Sequence, residues 1–396
     1  MAGDPSAPGR KRVWLVGPGF EFLSGLSVYT CRLANALAED HDVSAVLLGK
    51  LIPARLYPGG ARAGDDLTSL SYDSRVRLVG EVDWYWGDRL RRVVRALKRE
   101  RPDVLVLQWW TAATLHTYLA LARAARRAGV PVVIEFHEAQ DTGEAAVPLV
   151  AGYCRRVLPR LLAMASGALV HNQHDLDLLR SAHGPAFDHL AVEVAPHGPY
   201  DHLPEPAAVA AGEPEVTRLL FFGLIRPYKG VEDLVSAFNA LTPEQASRFR
   251  LTVVGETWEG WTKPAELIAA SPHADRVEFV NRYVSDAEAG AFFAAADALV
   301  LPYRRGSASG PLQIAMSRGV HVLLYAVGGL VEAVADYAGA RLLPPDDVDA
   351  LRAALLELAP RRGERFADPH SWSATTAALG ALAVRVGRPA DLPAAA

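Results

Sequence analysis

Cysteine is nearly absent: two residues in a chain of 396, with only three methionines. Cys31 and Cys154 fall inside helical patterns, so no disulfide framework can be built from them, and a reducing, cytoplasmic setting is expected. Long apolar runs are missing too, since none approaches the roughly 20 residues a spanning helix needs. The polar start, MAGDPSAPGRKR, is followed by VWLVG, which is too short for a signal-peptide core. There is no excess of positive charge: 41 Lys and Arg against 45 Asp and Glu leave −4, no footprint for nucleic acid. What is present is a globular composition, 50% hydrophobic and 22% charged, in a chain long enough for two domains.

Short β-rich runs alternate with longer helical patterns. Candidate strands are VWLVG (13–17), VSAVLL (43–48), VLVL (104–107), VVIEF (132–136), ALV (168–170) and VEVA (192–195), with amphipathic segments such as SVYTCRLANALA between them. That order predicts βαβ units and a parallel sheet. After His197 the period is lost in PYDHLPEPAAVAAGEPEV, which reads as a linker. The alternation resumes with RLLFF, LTVVG (251–255), VEFV (277–280), ALVLPY (298–303) and HVLLY (321–325). The fold class is therefore α/β. A tail at 1–12, a first domain at 13–197, a linker at 198–216, a second domain at 217–368 and a last helix at 369–386 are expected, with a ligand cleft between the two sheets.

The most informative segment is FFGLIRPYKG (221–230). A strand stops at Gly223, Arg226 and Lys229 follow, and Gly230 opens the helix VEDLVSAF. Strand, turn and helix in that order place both cations at the C-terminal edge of a sheet, beside a helix N-terminus that favours anions. Arg226 and Lys229 read as a phosphate clamp. A second turn, RRGSASG before PLQIAMSRG, offers Ser307, Ser309 and Gly310, with Pro311 at the start of a helix. The donors there would be the N–H groups of Gly310, Leu312 and Gln313 plus the serine hydroxyls; an ordinary serine N-cap is the plainer alternative.

In the first half, Gly17, Gly19 and Gly25 precede a helix, but Gly17-Pro18-Gly19 runs into Phe20, Glu21 and Phe22, so no GxGxxG dinucleotide fingerprint exists. VVIEFHEAQDTGE ends a strand with His137, Glu138, Asp141 and Glu144. His137 would face the cleft and could bond a sugar hydroxyl, and His197 marks the hinge. A metal reading is weak on ligand count: His137 and Glu138 point to opposite sides, and the close histidine pair, His171 and His174, follows another strand. DRLRRVVRALKRERP (88–102) is a basic amphipathic pattern. It reads first as the solvated face of a helix covering a sheet, and peripheral membrane contact through 88–101 stays open.

These residues resemble retaining glycosyltransferases of family four, which have the GT-B architecture of two Rossmann-like domains facing an interdomain cleft. The resemblance runs from about Val13 to Val386. It is most specific in FFGLIRPYKG, VVGETWEG, NRYVSDAEAGAFFAAADALVLPY and SASGPLQIAMSRG. It implies transfer of a sugar from a nucleoside-diphosphate sugar to a sugar-containing or other hydroxyl acceptor, with retention, no cofactor and no obligatory metal. It further implies diphosphate contact by Arg226 and Lys229, backbone donors from Ser309 to Leu312, and sugar contact by His137 and the Ser24-Gly25-Leu26 loop. Gly223 would line the donor site, Glu138 and His197 would lie on the acceptor and hinge side, and the last helix would return to the first domain.

Two departures stand out. The family's paired glutamates fall at Gly306 and Ile314, as in a subgroup with a small Ser-rich turn, so ribose contact and base specificity stay open. Leu224 stands where many relatives have arginine. A sugar-nucleotide epimerase of the same fold and a non-catalytic sugar-nucleotide-binding subunit remain as alternatives.

Overall fold

The computed structural model describes residues 10–20, 25–50, 70–83, 87–139, 148–206, 215–258 and 260–387. Ser24, Asp141, Glu144, most of the expected tail and 207–214 of the expected linker lie outside the described residues. The chain forms two compact units. Of the described residues, 10–50, 70–196 and 372–387 make the first, and 197–371 the second.

The strands of the first unit are β1 (Arg12–Pro18), β2 (Asp42–Lys50), β3 (Arg77–Asp83), β4 (Val104–Trp109), β5 (Val132–Phe136), β6 (Gly167–Val170) and β7 (Ala191–Val194). They pair in parallel in the order β3-β2-β1-β4-β5-β6-β7. Those of the second are β8 (Thr217–Phe222), β9 (Phe249–Val254), β10 (Val277–Val280), β11 (Ala298–Leu301), β12 (His321–Tyr325) and β13 (Ala340–Leu343), ordered β10-β9-β8-β11-β12-β13. The order reverses between β1 and β4 and again between β8 and β11. In open α/β sheets, ligands bind outside the strand ends at such switch points.

Helices of eight residues or more are α1 (Gly25–Asp40), α2 (Asp88–Glu100), α3 (Leu115–Arg127), α4 (Pro148–Leu162), α5 (Gln173–His183), α6 (Val231–Asn239), α7 (Asp286–Ala295), α8 (Gly310–Ser317), α9 (Val348–Leu358) and α10 (Trp372–Arg385). Central strands β4, β5, β6, β11 and β12 are buried along their whole length, as unbroken apolar runs between two helical layers should be.

Strands β3 and β13 were not among the sequence candidates. Both lie at sheet edges, where half of each strand is solvated and no apolar run forms. Of the segment expected to link the domains, 198–206 belongs to the second unit, as does His197, which was expected to close the first. There the Tyr200 carbonyl accepts from Ser317 Oγ at 3.1 Å, and Arg318 bonds Leu203 and Glu205.

Helix α10 packs on the first unit. Trp372 lies 5.2 Å from the Tyr29 ring, and Thr375 Oγ1 donates to the Pro196 carbonyl at 2.9 Å. A Cβ on Gly167 would meet Val386 and Leu382 at 3.0 and 3.1 Å, so glycine there admits the helix against β6. Basic helix α2 buries Leu90, Val93 and Leu97, while Arg89 pairs with Glu81, Arg91 with Asp88 and Arg99 with Glu100. Much of its charge is thus answered by its own neighbours. No described helix is long and apolar enough to cross a membrane. Neither cysteine is in a disulfide, and burial pushes the Cys31 thiol up to about 12.

Candidate functional site

In the second unit the site begins where β8 ends. Ile225 N donates to the Glu256 carbonyl at 2.9 Å and its own carbonyl accepts from Trp258 N at 3.0 Å, which ties this turn to the one after β9. Close approach of the two turns requires Gly255, whose φ is +152° and where a Cβ would lie 1.9 Å from the Gly223 carbonyl oxygen. Pro227–Lys229 forms one 3-10 turn, and Gly230, left-handed at φ +62°, starts α6.

Three cations gather on this turn. Arg226, Lys229 and Arg305 stand 5.5, 5.4 and 5.4 Å from the centre of the Tyr228 ring, and Lys229 Nζ is 3.9 Å from the Tyr303 ring. Aromatic faces offer cations partial compensation. Arg305, which the sequence reading passed over, forms no ion pair among the described residues. Its neighbour Arg304 is engaged on every side: Nη1 donates to Glu232 at 2.7 Å and to the Pro227 carbonyl at 2.9 Å, Nη2 to Asp233 at 2.8 Å, and Nε to Asp346 at 2.8 Å. Arg304 thus clasps the Pro227 turn, the first turn of α6 and the Asp346 loop together. Burial raises the Asp233 carboxyl above its ordinary range, and the Arg304 charge opposes that.

At the second turn, Ser309 caps α8. Its hydroxyl accepts from Leu312 N at 3.4 Å, and its carbonyl accepts from Gln313 N at 3.1 Å. The Leu312 and Gln313 N–H groups, expected to point at a ligand, are therefore committed inside the helix. This is the ordinary-cap alternative made visible. The Leu312 side chain is fully buried, and a Cβ on Gly310 would come within 3.0 Å of Tyr200. Gly223 packs beside this helix, since a Cβ there would lie 3.4 Å from Pro311 Cγ. Ser307, half-buried, precedes the cap, and buried His197 faces the Gly198 carbonyl at 3.0 Å and the Tyr200 ring at 5.4 Å.

In the first unit, the β5–β6 register sets Phe136 beside Val170, which brings the following residues, His137 and His171, together with ring centres 4.9 Å apart. The close histidine pair is therefore His137 and His171, not His171 and His174, because neighbouring parallel strands outweigh nearness in sequence. Below them lies Glu135, fully buried, its carboxylate 3.8 Å from His137 Nε2 and 3.6 Å from His171 Nε2. Tyr29 OH donates to Glu135 Oε1 at 2.6 Å and Gln108 Nε2 to Oε2 at 3.0 Å. Gln108 Oε1 in turn accepts from Thr30 at 2.6 Å. Glu138, half-buried, follows at the strand end, and exposed Gly25 opens α1.

The sequence reading missed Glu135 and Gln108. Their signal was a polar residue inside an apolar strand, VVIEF and VLVLQ. Glu135, His137 and His171 are also the described group whose donor atoms, within 4.8 Å of one another, could hold a metal ion. Both carboxylate oxygens, however, already accept hydrogen bonds, and the group is built first as a buried polar network.

Two consecutive doubly wound parallel sheets, the second with a cation-lined turn at its switch point, define an α/β protein of the GT-B class. Residues 24–198 match the family described as Glycosyl transferase 4-like domain, and 216–360 that described as Glycosyl transferases group 1. The chain belongs to the family-four glycosyltransferases. It is 30% identical over 168 residues to O-antigen chain mannosyltransferase B of Escherichia coli (40% of this chain, 43% of that one). It is 30% identical over 297 residues to D-inositol 3-phosphate glycosyltransferase of Stackebrandtia nassauensis (68% and 64%). The chain thus matches less than two thirds of the length of these curated relatives. Sucrose-phosphate synthase from Thermosynechococcus elongatus shares the fold at a TM-score of 0.63 and 18% identity, over 96% of this chain and 95% of that one.

Proposed function

We propose that the protein transfers a hexosyl group from a nucleoside-diphosphate sugar to a hydroxyl on a glycan, lipid-linked or natural-product acceptor, with retention. The observation that carries this reading is the convergence of Arg226, Lys229 and Arg305 around Tyr228 at the second switch point. Three cationic side chains held around one turn and its neighbouring loop can each give a diphosphate charge-assisted hydrogen bonds.

When the anomeric C–O bond breaks, negative charge builds on the departing diphosphate, and fixed cations act on it most strongly. Arg226 and Lys229 fill that role, with Gly223, Ser307, Ser309, Gly310, Leu312 and Gln313 shaping the donor site. The leaving phosphate takes the proton of the acceptor hydroxyl on the same face, so no protein nucleophile is required. His137 and Gly25 meet the sugar from the first unit, and Glu138 and His197 serve the acceptor side and the hinge. The cations do the electrostatic work of a metal, so a nucleotide sugar is the co-substrate needed and no cofactor is.

The test is a thermal-shift screen of UDP- and GDP-hexoses, followed by transfer assays with the stabilising donor. Lys229→Ala and Arg226→Ala should each lower turnover at least about 100-fold, or ~2.7 kcal/mol, without unfolding the chain. Near-wild-type turnover in either variant would remove the clamp from the mechanism. Donor turnover without any acceptor would instead indicate an epimerase.

A further inference from the structure

One face of the first unit is strongly basic, although the chain as a whole carries −4. Successive crossovers in one direction along the sheet, β4 to β5 to β6, set α3 and α4 on the same side, where they pack on each other. Neither helix contains an aspartate or a glutamate. Arg123, Arg126 and Arg127 of α3 and Arg155, Arg156 and Arg160 of α4 are all exposed. None of the six is in an ion pair among the described residues.

Helix α4 adds apolar side chains to that charge. Leu158, Leu161 and Leu162 bury one of its faces. At about 100° per residue, the opposite side carries Leu149, Tyr153, Arg156 and Arg160 as one stripe. The core is served without that stripe, so packing gives no reason for Leu149 to stand 88% exposed and Tyr153 41%. A single exposed leucine is ordinary. A leucine and a tyrosine one turn apart, continued by two arginines and bordered by three more on the next helix, have the composition of a bilayer-interface helix.

The charge selects the occupant. A two-fold contact pairs a patch with itself, so a second copy docked here would set arginines against arginines. A surface of anionic headgroups answers all six, gives each guanidinium phosphate oxygens to bond, and takes a projecting leucine without needing a pocket.

We propose that α3 and α4 form a docking surface for an anionic lipid bilayer. Leu149 and Tyr153 enter the boundary between headgroups and acyl chains, and the arginines hold headgroup phosphates. The contact is peripheral and reversible, since two apolar side chains and screened charges hold far less firmly than a spanning helix. Helix α2, whose sequence pattern first suggested a membrane, packs on α3 and borders this surface without centring it. Every exposed residue of α2 is charged, so it has nothing to insert.

The experiment is co-sedimentation of the full chain with vesicles of phosphatidylcholine, alone or mixed with phosphatidylglycerol, at low and physiological salt. Binding is expected to the mixed vesicles only, and to weaken as salt rises. Leu149→Ser combined with Tyr153→Ser should weaken it about tenfold. Arg156→Gln combined with Arg160→Gln should weaken it about fivefold for each arginine lost. Both double variants should melt with wild type, because the replaced side chains face solvent. Arg92→Gln with Arg95→Gln on α2 should weaken binding less than the α4 arginine pair does. Equal binding to both kinds of vesicle, binding to neither at low salt, or wild-type binding by either α4 variant overturns the proposal. So does self-association that Leu149→Ser abolishes, which would make this face a protein contact. A vesicle pellet reads the surface whether or not the chain transfers a sugar, so failure of the transferase reading leaves it standing.

Discussion

Alanine in place of Gly230 would push a Cβ to within 2.0 Å of the Pro302 carbonyl oxygen, at a backbone φ of +62°. Neither strain has an outlet, because backbone meets backbone. Gly230→Ala should therefore lose more than about 2 kcal/mol, read as a lower urea midpoint; a midpoint equal to wild type would mean the turn yields freely. Glu135 supplies a pH signature. Its ordinary value of 4.5 rises to about 7, so between those values the folded chain keeps a proton that the unfolded chain has lost. Its contribution to stability is full below pH 4.5 and fades as pH rises through 7. His171, lowered from 6.5 to about 4, runs the other way: its contribution is full above 6.5 and is lost as pH falls through 4. The stability of wild type relative to Glu135→Gln should consequently shrink between pH 5 and pH 7.5 in urea melts, and a constant difference would show that the acid does not titrate there. The strand around Glu135 was legible in the sequence, but the acid's role was not. Its partners Tyr29 and Gln108 lie 106 and 27 residues away, and a charge inside an apolar run identifies no partner.

Among elements, the turn 221–230 was the easiest to read, because strand, glycine, cations and helix are all local. What holds the turn was invisible. Arg304 meets Glu232, Asp233 and Asp346 across 72, 71 and 42 residues, distances over which sequence spacing carries no register. Arg304→Ala should raise donor KM about tenfold or more with a smaller change in kcat, since it loosens the cationic turn without removing a contact to the leaving group. Lysine should restore only part of this, because one ammonium cannot match a planar fork that reaches three carboxylates. A kcat loss with KM unchanged would contradict the bracing role. For α8, Ser309→Ala should cost about 1 kcal/mol of stability as a lost N-cap. A much larger drop in donor affinity at unchanged stability would assign the hydroxyl to the ligand after all.

At the scale of the molecule, the alternation of strand and helix was enough to give two parallel sheets, since central strands advertise themselves as apolar runs. Edge strands β3 and β13 do not, and the return of α10 to the first unit came from the family resemblance, not from any periodicity in the chain. Ending the protein at Ser371 should strip the cover from Trp372's neighbour Tyr29 and from β6. Two melting transitions are then expected, the first unit's falling well below wild type and the second unit's staying put. A single transition, or one unmoved for the first unit, would show that α10 contributes little.

The same helix sets an order of assembly. The second unit is complete once residue 371 has been made, whereas the first, although most of it is synthesised earlier, must wait for 372–385 before its groove beside β6 can close. During translation the first unit therefore waits partly uncovered while the second can already fold, a schedule opposite to the order of the gene. A nascent chain stalled short of its last helix should be the form that chaperones hold and proteases cut, with the cuts falling in the first unit.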